Sequence, residues 1–521
     1  MKILHTYWSK PSCGNNDNLL ENRFDGGWLS MKYHCLSWAL SCLKCKQFYE
    51  NVELYTDSTG KKLLIDMLQL PYSKVHVCLD DINYIPKQMW AMSKIYTYSL
   101  QKEPFIHIDG DVYLWDKFDR TIEEAPLIAQ NPEQYNSYYK VPIQYMKRRN
   151  FILPDILKNI NCENNSICAV NAGTLGGNDI SFFREYTKLA FEIFHANKKK
   201  FEHKDSGKLN VVIEQLLFYQ MAENSGIDIN FLLGNIKGDF SNLMEFILVP
   251  KEKKYIHLVG FAKRLGVACN MVERHLQLEF PEYYKFFLEK FIVNTPMQNH
   301  RIIDDKRYDF EWYFQYTLQV MKQLFQNLEK IESVQSIENQ LEKIADKLSP
   351  KKFTFIIELF EFEKNKYEFL KKDVDIVDEF LPFEYFLKAK TLLNQQSRED
   401  ILSTAYKLSD SVQIVLANYD FDHILSKTDW PSDKIDKYRR GENVYVLTKL
   451  SPSIVIHQRL YKLDMLLYYL SYQAMTGYEL VNMLLEDDAL KEKPIHEIQD
   501  EVYKFIAGNL LYTSFIEIVK I

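Results

Sequence analysis

The stretch Pro104-Phe-Ile-His-Ile-Asp109-Gly-Asp111-Val-Tyr-Leu-Trp115 decides how the rest of the chain is interpreted. Two carboxylates separated by one glycine follow a short apolar run, and a second apolar run begins directly after them. A short apolar run bounded by turn residues is typical of a buried β-strand. Two carboxylates at the end of a strand offer hard oxygen ligands to a divalent cation, which takes its remaining ligands from water and a substrate diphosphate. The stretch therefore predicts a metal site at the edge of a sheet.

Length and composition favour a globular protein of two or three domains, because 521 residues exceed the usual size of one domain. A hydrophobic content of 46% is ample for packed cores and disfavours disorder. The net charge of −7 argues against broad electrostatic binding to nucleic acid or to an anionic membrane, so basic runs such as 198–200 are expected to be solvated.

The first residues lack a secretory apolar segment, and no apolar run is long enough for a membrane span. A cytoplasmic location with reduced cysteines is expected.

The pair Cys42-Leu-Lys-Cys45 has the spacing of a zinc or redox site. It lies within a helical pattern that places Cys35, Trp38 and Cys42 on one apolar face, and no second pair stands at metal-site spacing. We interpret these residues as core cysteines, with a metal or redox role as the alternative.

Strand-like and helix-like runs alternate over residues 1 to about 275, which predicts an α/β fold with a mainly parallel sheet covered by helices. The predicted strands are Lys2–Thr6, Val52–Thr56, Lys74–Leu79, Phe105–Ile108 and Val112–Leu114, and the predicted helices are Trp28–Lys46, Lys61–Leu68 and Met89–Leu100. In such sheets ligands bind beyond the carboxyl ends of the strands. Asp57, Asp109 and Asp111 all fall at that edge.

The C-terminal half has a different character, with sparse glycine and long helical patterns. We predict an α/β domain over 1–275, a helical connector over 276–350 with the break at Ser349-Pro350, and a mainly helical domain over 351–521. Within the last part, residues 440–521 predict a strand, three helices and a closing strand. The predicted elements are Val444–Leu447, Gln458–Leu470, Tyr478–Leu485, Ile495–Leu511 and Phe515–Ile518.

Two later segments bear on the metal site. Val170-Asn171-Ala-Gly173-Thr-Leu-Gly176-Gly177-Asn178 predicts a glycine-rich turn where backbone approaches a ligand, and Asn171 offers a donor and an acceptor to sugar hydroxyls. In Ile256-His257-Leu-Val-Gly260-Phe-Ala-Lys263-Arg264, a histidine follows a strand, a glycine permits a tight turn and a cation comes three residues later. His257 is therefore a candidate third metal ligand, and Lys263 a candidate diphosphate ligand.

The order Asp109-Gly-Asp111, Asn171-Ala-Gly173, His257-x-x-Gly260-x-x-Lys263 resembles that of retaining glycosyltransferases of the GT-A fold, in particular the group of glycogenin and the lipopolysaccharide galactosyltransferases. The resemblance covers residues 1 to about 270. It implies that Asp109, Asp111 and His257 bind Mn²⁺ or Mg²⁺, that Lys263 contacts the donor diphosphate, and that the donor is a UDP-sugar. Gly110, Asn171, Gly173 and Gly260 are carried over as residues that line the donor site.

The same resemblance assigns roles to residues outside the three motifs. Lys94 matches a positive residue on the helix before the Asp-x-Asp motif, and Glu214-Gln215 matches an acidic-Gln pair near the acceptor, which makes both members candidate catalytic residues. The chain departs from the family at Arg264-Leu265, where Pro-Trp is usual. It also lacks a clear nucleotide-binding Asp in the first strand, so Thr6 and Tyr7 are the candidates for contact with the base.

Residues 440–521 resemble the peptide-clamping winged-helix domains that recruit precursor peptides to modifying enzymes. That resemblance implies a peptide partner, which would add a strand to an exposed sheet edge. A purely structural packing role is the interpretation we favour for this segment. DNA binding is disfavoured because this segment is rich in Glu and Asp.

These features predict a metal-dependent glycosyltransferase that uses a nucleotide-sugar donor and an unidentified acceptor, which is a peptide, a glycan or a lipid. One alternative is a nucleotidyltransferase, although residues 9–27 offer little of the basic glycine-rich loop which that class needs. The other is a non-catalytic scaffold that keeps the fold and acts through its C-terminal domain.

Overall fold

The computed structural model describes residues 1–12, 27–134, 136–162, 167–234, 244–292, 309–324, 330–374, 383–425, 435, 438, 440–451, 454–487, 490 and 493–519. The chain divides into two compact units, residues 1–296 and residues 297–521. The finer division predicted at residues 275, 350 and 440 stays a prediction.

A seven-stranded, mostly parallel sheet forms the centre of the first unit, in the order β10-β6-β9-β4-β1-β2-β3. Strand β9 is the antiparallel member, between β4 and β6. Two further antiparallel pairs, β11 with β5 and β7 with β8, lie beside this sheet. The strands are β1 (Lys2–Tyr7), β2 (Val52–Thr56), β3 (Lys74–Val77), β4 (Phe105–Ile108), β5 (Val112–Leu114), β6 (Leu127–Ala129), β7 (Pro132–Gln134), β8 (Cys168–Val170), β9 (Thr174–Gly177), β10 (Ile229–Phe231) and β11 (Tyr255–His257).

Helices flank this sheet and close its core. They are α1 (Met31–Phe48), α2 (Ser58–Lys61), α3 (Ala91–Ser99), α4 (Arg120–Glu123), α5 (Asn136–Arg148), α6 (Asp155–Lys158), α7 (Ile180–Ala196), α8 (Lys198–Phe201), α9 (Leu217–Ser225), α10 (Gly266–Glu279) and α11 (Pro281–Phe287). Side chains of α3, α7 and α9 pack in one cluster with β4 and β9, and the Phe105 and Phe183 rings contact each other there in a tilted arrangement at a centroid distance of 4.7 Å. Cys35, Cys42 and Cys45 of α1 are fully buried, as the core interpretation expects.

The predicted alternation of strands and helices is confirmed over residues 1–114, where each predicted strand is present with a shift of at most two residues at one end. The segment 170–178 differs from its prediction as a glycine-rich turn, because Gly176 and Gly177 lie in β9. A Cβ at Gly176 would come within 2.2 Å of the Phe105 carbonyl oxygen, so glycine allows the two backbones to pair closely.

The second unit combines helices with two three-stranded antiparallel sheets, β13-β14-β15 and β16-β12-β17. Its helices are α12 (Phe310–Tyr313), α13 (Gln315–Leu324), α14 (Val334–Ile344), α15 (Pro350–Leu370), α16 (Phe383–Gln395), α17 (Arg398–Ser403), α18 (Phe421–Leu425), α19 (Leu466–Leu470), α20 (Gly477–Leu485) and α21 (Ile495–Gly508). Its strands are β12 (Ala405–Leu408), β13 (Val412–Ala417), β14 (Asn443–Ser451), β15 (Ile454–Arg459), β16 (Met475–Thr476) and β17 (Ile516–Ile518). Phe355, Phe360 and Phe362 of α15 lie in the core of this unit with residues of β13, β14 and β15.

Two local sequence signals start helices in the second unit. Ser349 caps α15 and Pro350 occupies its first turn, where proline costs no hydrogen bond. Thr476 and Glu479 form a capping box that starts α20.

The predicted helix Gln458–Leu470 is wrong at its start, because Gln458 and Arg459 pair with β14 as part of β15 and helical structure begins at Lys462. The closing strand β17 pairs with β12, so β14 and β17 belong to different sheets. The structure does not show the winged-helix module predicted for 440–521. Among the described residues, no helix combines the length and apolarity needed to cross a membrane.

Candidate metal centre

Asp109 and Asp111 lie in the tight connection between the buried strands β4 and β5. The amide of Asp109 donates to the carbonyl of Gly173 at 2.9 Å, and the amide of Val112 donates back to the carbonyl of Asp109 at 3.0 Å. These two bonds fix the backbone of the loop, so both carboxylates leave the sheet at the edge that the sequence predicts.

His257 reaches the two carboxylates through strand pairing. Strand β11 runs antiparallel to β5, with His257 opposite Val112, and the amide of Leu258 donates to the Asp111 carbonyl at 3.1 Å. One ligand atom each from Asp109, Asp111 and His257 lies within 4.8 Å of the other two. Two carboxylates and an imidazole are a donor set that Mn²⁺ and Mg²⁺ accept, so these residues fit the cation that the sequence predicts.

Gln130, at the end of β6, sets the orientation of the His257 ring. Its Oε1 lies 2.6 Å from His257 Nδ1 and accepts a further hydrogen bond from the Tyr255 hydroxyl at 2.7 Å. Because an amide oxygen is only an acceptor, Nδ1 carries a proton, and Nε2 is the nitrogen that faces Asp111, whose Oδ1 is 3.5 Å away. A metal-ligating histidine is usually held in this way by a partner on its other nitrogen. The sequence analysis missed Gln130.

Gly173 makes room for this arrangement. A Cβ at this position would lie 2.3 Å from His257 Cε1 and 2.5 Å from Gln130 Oε1, so no larger residue fits without moving the imidazole. Gly260 has a different requirement, since its φ of +56° is disfavoured for other residues. It directs the chain from β11 into the short helical turn that carries Lys263.

Two lysines balance the carboxylates. Lys263 pairs with Asp111, and Lys94 Nζ lies 2.8 Å from Asp109 Oδ1. Burial acts to raise the pKa of Asp111, but Lys263 and His257 outweigh it and hold the pKa below its ordinary value. Burial raises the pKa of Asp109, with Lys94 opposing the effect. Asp111 is therefore the more strongly ionised member of the pair.

Lys94 also joins the carboxylates to the predicted acceptor-side pair. Its Nζ lies 3.0 Å from Oε1 of Glu214, whose side chain is 0% exposed. Burial acts to lower the pKa of Lys94, but Asp109 and Glu214 raise it well above the ordinary value, so the lysine stays charged. Gln215 points elsewhere, with its Oε1 2.8 Å from the Tyr139 hydroxyl.

The side-chain amide of Asn171 forms hydrogen bonds within the protein through both its oxygen and its nitrogen. Its Oδ1 accepts from the Gly173 amide at 2.9 Å, and its Nδ2 donates to Glu133 Oε1 at 2.8 Å. Glu133 in turn accepts a hydrogen bond from Tyr139. This chain of contacts links the turn at 171–173 to α5 and Gln215.

The residues predicted to contact the nucleotide near β1 make their interactions with side chains other than the three candidate metal ligands. Thr6 Oγ1 is 3.1 Å from His107 Nε2, and the Tyr7 ring packs against Trp38 at a centroid distance of 5.1 Å. Asp57 caps α2 through the Gly60 amide at 2.7 Å and accepts two hydrogen bonds from Ser9. The structure thus gives Asp57 a local structural role, and Tyr7 is mostly buried.

The fold and the site together define an α/β protein with a carboxylate–histidine centre flanked by two lysines. The chain belongs to the family described as "Family of unknown function (DUF6734)", whose model matches residues 1–290. That match spans the central sheet and every residue of the metal centre.

Comparison with other proteins adds a slight structural likeness. The chain is similar to the apo form of mouse xyloside xylosyltransferase 1, with a TM-score of 0.26 and 10% sequence identity over 44% of this chain and 84% of that chain. A likeness at this TM-score carries no weight for fold or activity. No curated protein matches the chain.

Proposed function

We propose that the protein is a metal-dependent glycosyltransferase of the GT-A type, which transfers a sugar with retention from a UDP-sugar to an unidentified acceptor. The observation that carries the proposal is the convergence of Asp109, Asp111 and His257 within 4.8 Å, with the Lys263 ammonium on Asp111. These are the residues that the Asp-x-Asp and His-x-x-Gly-x-x-Lys motifs single out. Strand pairing and a glycine turn bring them together from distant parts of the chain.

The charges of the site suit departure of a diphosphate. Asp109, Asp111 and His257 would hold Mn²⁺ or Mg²⁺, which supplies Lewis-acid stabilisation of the negative charge on the leaving diphosphate. Lys263 lies on a short turn with its side chain partly exposed, and its flexible stem can contact a phosphate oxygen next to Asp111. A fixed positive group at the place where negative charge develops lowers the barrier to bond breaking.

Lys94 and Glu214 support the site from the protein interior. Lys94 keeps Asp109 ionised beside its partner, and Glu214 keeps Lys94 in place. We propose that Glu214 and Gln215 line the region where the sugar and the acceptor meet, which follows the family resemblance. Because Glu214 is fully buried, its contribution to the positively charged sugar centre is electrostatic.

Donor turnover tests the proposal. Purified protein incubated with Mn²⁺ and a panel of nucleotide sugars should release nucleoside diphosphate from one donor, by slow hydrolysis when no acceptor is present. Asp111→Asn should abolish this release, whereas Asp116→Asn, an exposed aspartate five residues away, should leave it unchanged.

The released product separates the alternatives. Pyrophosphate in place of nucleoside diphosphate would identify a nucleotidyltransferase. No turnover and no binding of Mn²⁺, with unchanged behaviour of Asp111→Asn, would support the scaffold interpretation and overturn the proposal.

A further inference from the structure

A strongly basic region lies on the first unit away from the metal ligands. We define the basic face by two basic runs and one apolar residue. The runs are Lys147 and Arg148 at the end of α5 with Arg149 directly after it, and Lys198, Lys199 and Lys200 at the start of α8; the apolar residue is Ile152 in the loop between them. The two basic runs are about 50 residues apart in sequence, and the fold places them side by side. Lys200 Nζ donates to the carbonyl of Asn150, and the Phe151 ring contacts Phe201 at a centroid distance of 5.3 Å.

The basic face contrasts with the rest of the protein in charge. The chain carries a net charge of −7, yet no acidic residue occurs between positions 140 and 154 or between 193 and 201. Arg148, Arg149, Lys198 and Lys199 are exposed. Like charges held this close repel one another, which favours binding of an anionic surface that neutralises them.

Ile152 projects from the middle of this face. Its side chain is 63% exposed, an uncommon position for isoleucine. Its backbone is fixed, because the Asn197 side chain accepts from the Ile152 amide at 2.7 Å and donates to the Ile152 carbonyl at 2.8 Å. On the adjoining α5, Tyr138 and Val141 are 55% and 54% exposed. The protein therefore presents apolar side chains among cations on a preformed surface.

We propose that the basic face binds the surface of a bilayer that contains anionic lipids, with Ile152 inserted at the interface. A bilayer uses both features, because lipid headgroups neutralise the cations while the acyl boundary accepts aliphatic side chains. A nucleic acid or an acidic peptide would satisfy the cations but would leave Ile152 and Val141 in contact with water or phosphate. This inference does not depend on the proposed function, since none of its residues belongs to the metal centre.

Vesicle sedimentation of the full-length protein tests the inference. At about 0.1 M salt, binding is expected to vesicles that contain roughly one third phosphatidylglycerol, and little binding to pure phosphatidylcholine. Arg148→Glu with Arg149→Glu should lower the partition coefficient at least tenfold, because each basic residue near the membrane contributes roughly fivefold. Ile152→Ser should lower it severalfold at unchanged charge.

Matched controls keep the test specific. Lys62→Glu with Lys117→Glu makes the same charge change at exposed positions elsewhere, and Ile495→Ser removes an isoleucine that is 54% exposed; both should bind as wild type. Equal binding to neutral vesicles, or full binding by Arg148→Glu with Arg149→Glu, would overturn the inference. So would binding of RNA or an acidic peptide without binding of anionic vesicles. If that double variant melts at a lower temperature, its loss of binding has a second explanation, and the test then depends on Ile152→Ser and on the salt dependence of wild-type binding. Vesicle binding by the wild type that does not change with salt would contradict the inference.

Discussion

The hydrogen bond between His257 and Gln130 determines which imidazole nitrogen faces the carboxylates. Gln130→Ala removes the acceptor at 2.6 Å and frees the ring to rotate or change tautomer. We expect Mn²⁺ affinity to fall about ten- to a hundredfold, the usual cost of losing such a partner. Gln130→Glu keeps an acceptor at the same place and should retain most of the affinity. Titration with Mn²⁺ followed by electron paramagnetic resonance measures both.

A spectroscopic signature separates this role from a general loss of structure. The pulsed resonance spectrum of bound Mn²⁺ should show nitrogen coupling from His257 in the wild type and in Gln130→Glu, and none in His257→Ala. Gln134→Ala, an exposed glutamine on the neighbouring strand, serves as the matched control. Unchanged nitrogen coupling in Gln130→Ala would show that Gln130 does not orient the ring, and it would leave the metal site itself intact.

Lys94 is the cation shared by Glu214, which is fully buried, and Asp109, which is partly buried. In Lys94→Met, Glu214 remains fully buried without its partner at 3.0 Å, so we expect a loss of about 3 to 5 kcal/mol in the free energy of unfolding. The further change Glu214→Gln removes the uncompensated charge and should recover part of that loss. Urea denaturation of the four proteins of this double-mutant cycle measures the coupling. Additive effects of the two changes would contradict the ion pair.

At the residue scale, the candidate metal ligands could be predicted because each stands in a spaced motif next to an apolar run. The role of Gln130 could not be predicted, since a glutamine after a short strand carries no local signal. Its role depends on the fold placing it beside His257 of β11. The role of Gly173 beside the donor stays a prediction, and the structure adds a requirement that has no sequence signal, because a Cβ there would meet His257 and Gln130.

Glu279, the last residue of α10, ties three elements together. Its carboxylate pairs with Lys44 of α1 at 2.6 Å, contacts His275 Nδ1 at 2.9 Å and accepts from the Trp115 indole at 3.0 Å. Burial acts to raise the pKa of Glu279, but His275 and Lys44 outweigh it and lower the pKa to about 2.

This contact predicts a pH dependence of stability. A carboxyl whose pKa is depressed in the folded state contributes stability above its unfolded pKa, and that stability is lost as pH falls through the folded pKa. Glu279→Gln should therefore cost about 3 kcal/mol at pH 7. The difference from wild type should shrink between pH of about 4.5 and about 2, as unfolding measured across that range would reveal. Glu282→Gln, at an exposed glutamate on α11, should follow the wild type, and a constant difference at all pH values would exclude the proposed linkage.

At the element scale, strands with a mostly apolar run could be predicted from the sequence. Strands whose extent depends on pairing with a neighbouring strand could not. Phe105–Ile108 shows the mostly apolar run of a buried strand. Strand β9 contains Gly176 and Gly177, which signal a turn in sequence but here permit close contact with β4. The end of β15, Gln458 and Arg459, was assigned to a helix because the local apolar spacing is ambiguous until β14 pairs with the strand.

At the scale of the whole molecule, the metal centre and the basic face both belong to the first unit. The second unit has its own core, built around α15, and contributes no residue to either. Each unit therefore meets the minimum condition for a cooperative folding unit, a hydrophobic core of its own.

Calorimetry of the full chain should accordingly show two unfolding transitions. Mn²⁺ with a bound nucleotide sugar stabilises only the unit that binds it, by about 2.7 kcal/mol at a hundredfold excess over the dissociation constant. We expect one transition to move upward and the other to stay in place. The transition that moves should be the one that Glu279→Gln lowers, because Glu279 lies in the first unit. Asp111→Asn should abolish the upward shift and leave both transitions present. A single transition, or an upward shift of both transitions with ligand, would mean that the two units unfold together. A ligand bound to one unit raises the unfolding temperature of the other only when their unfolding is coupled.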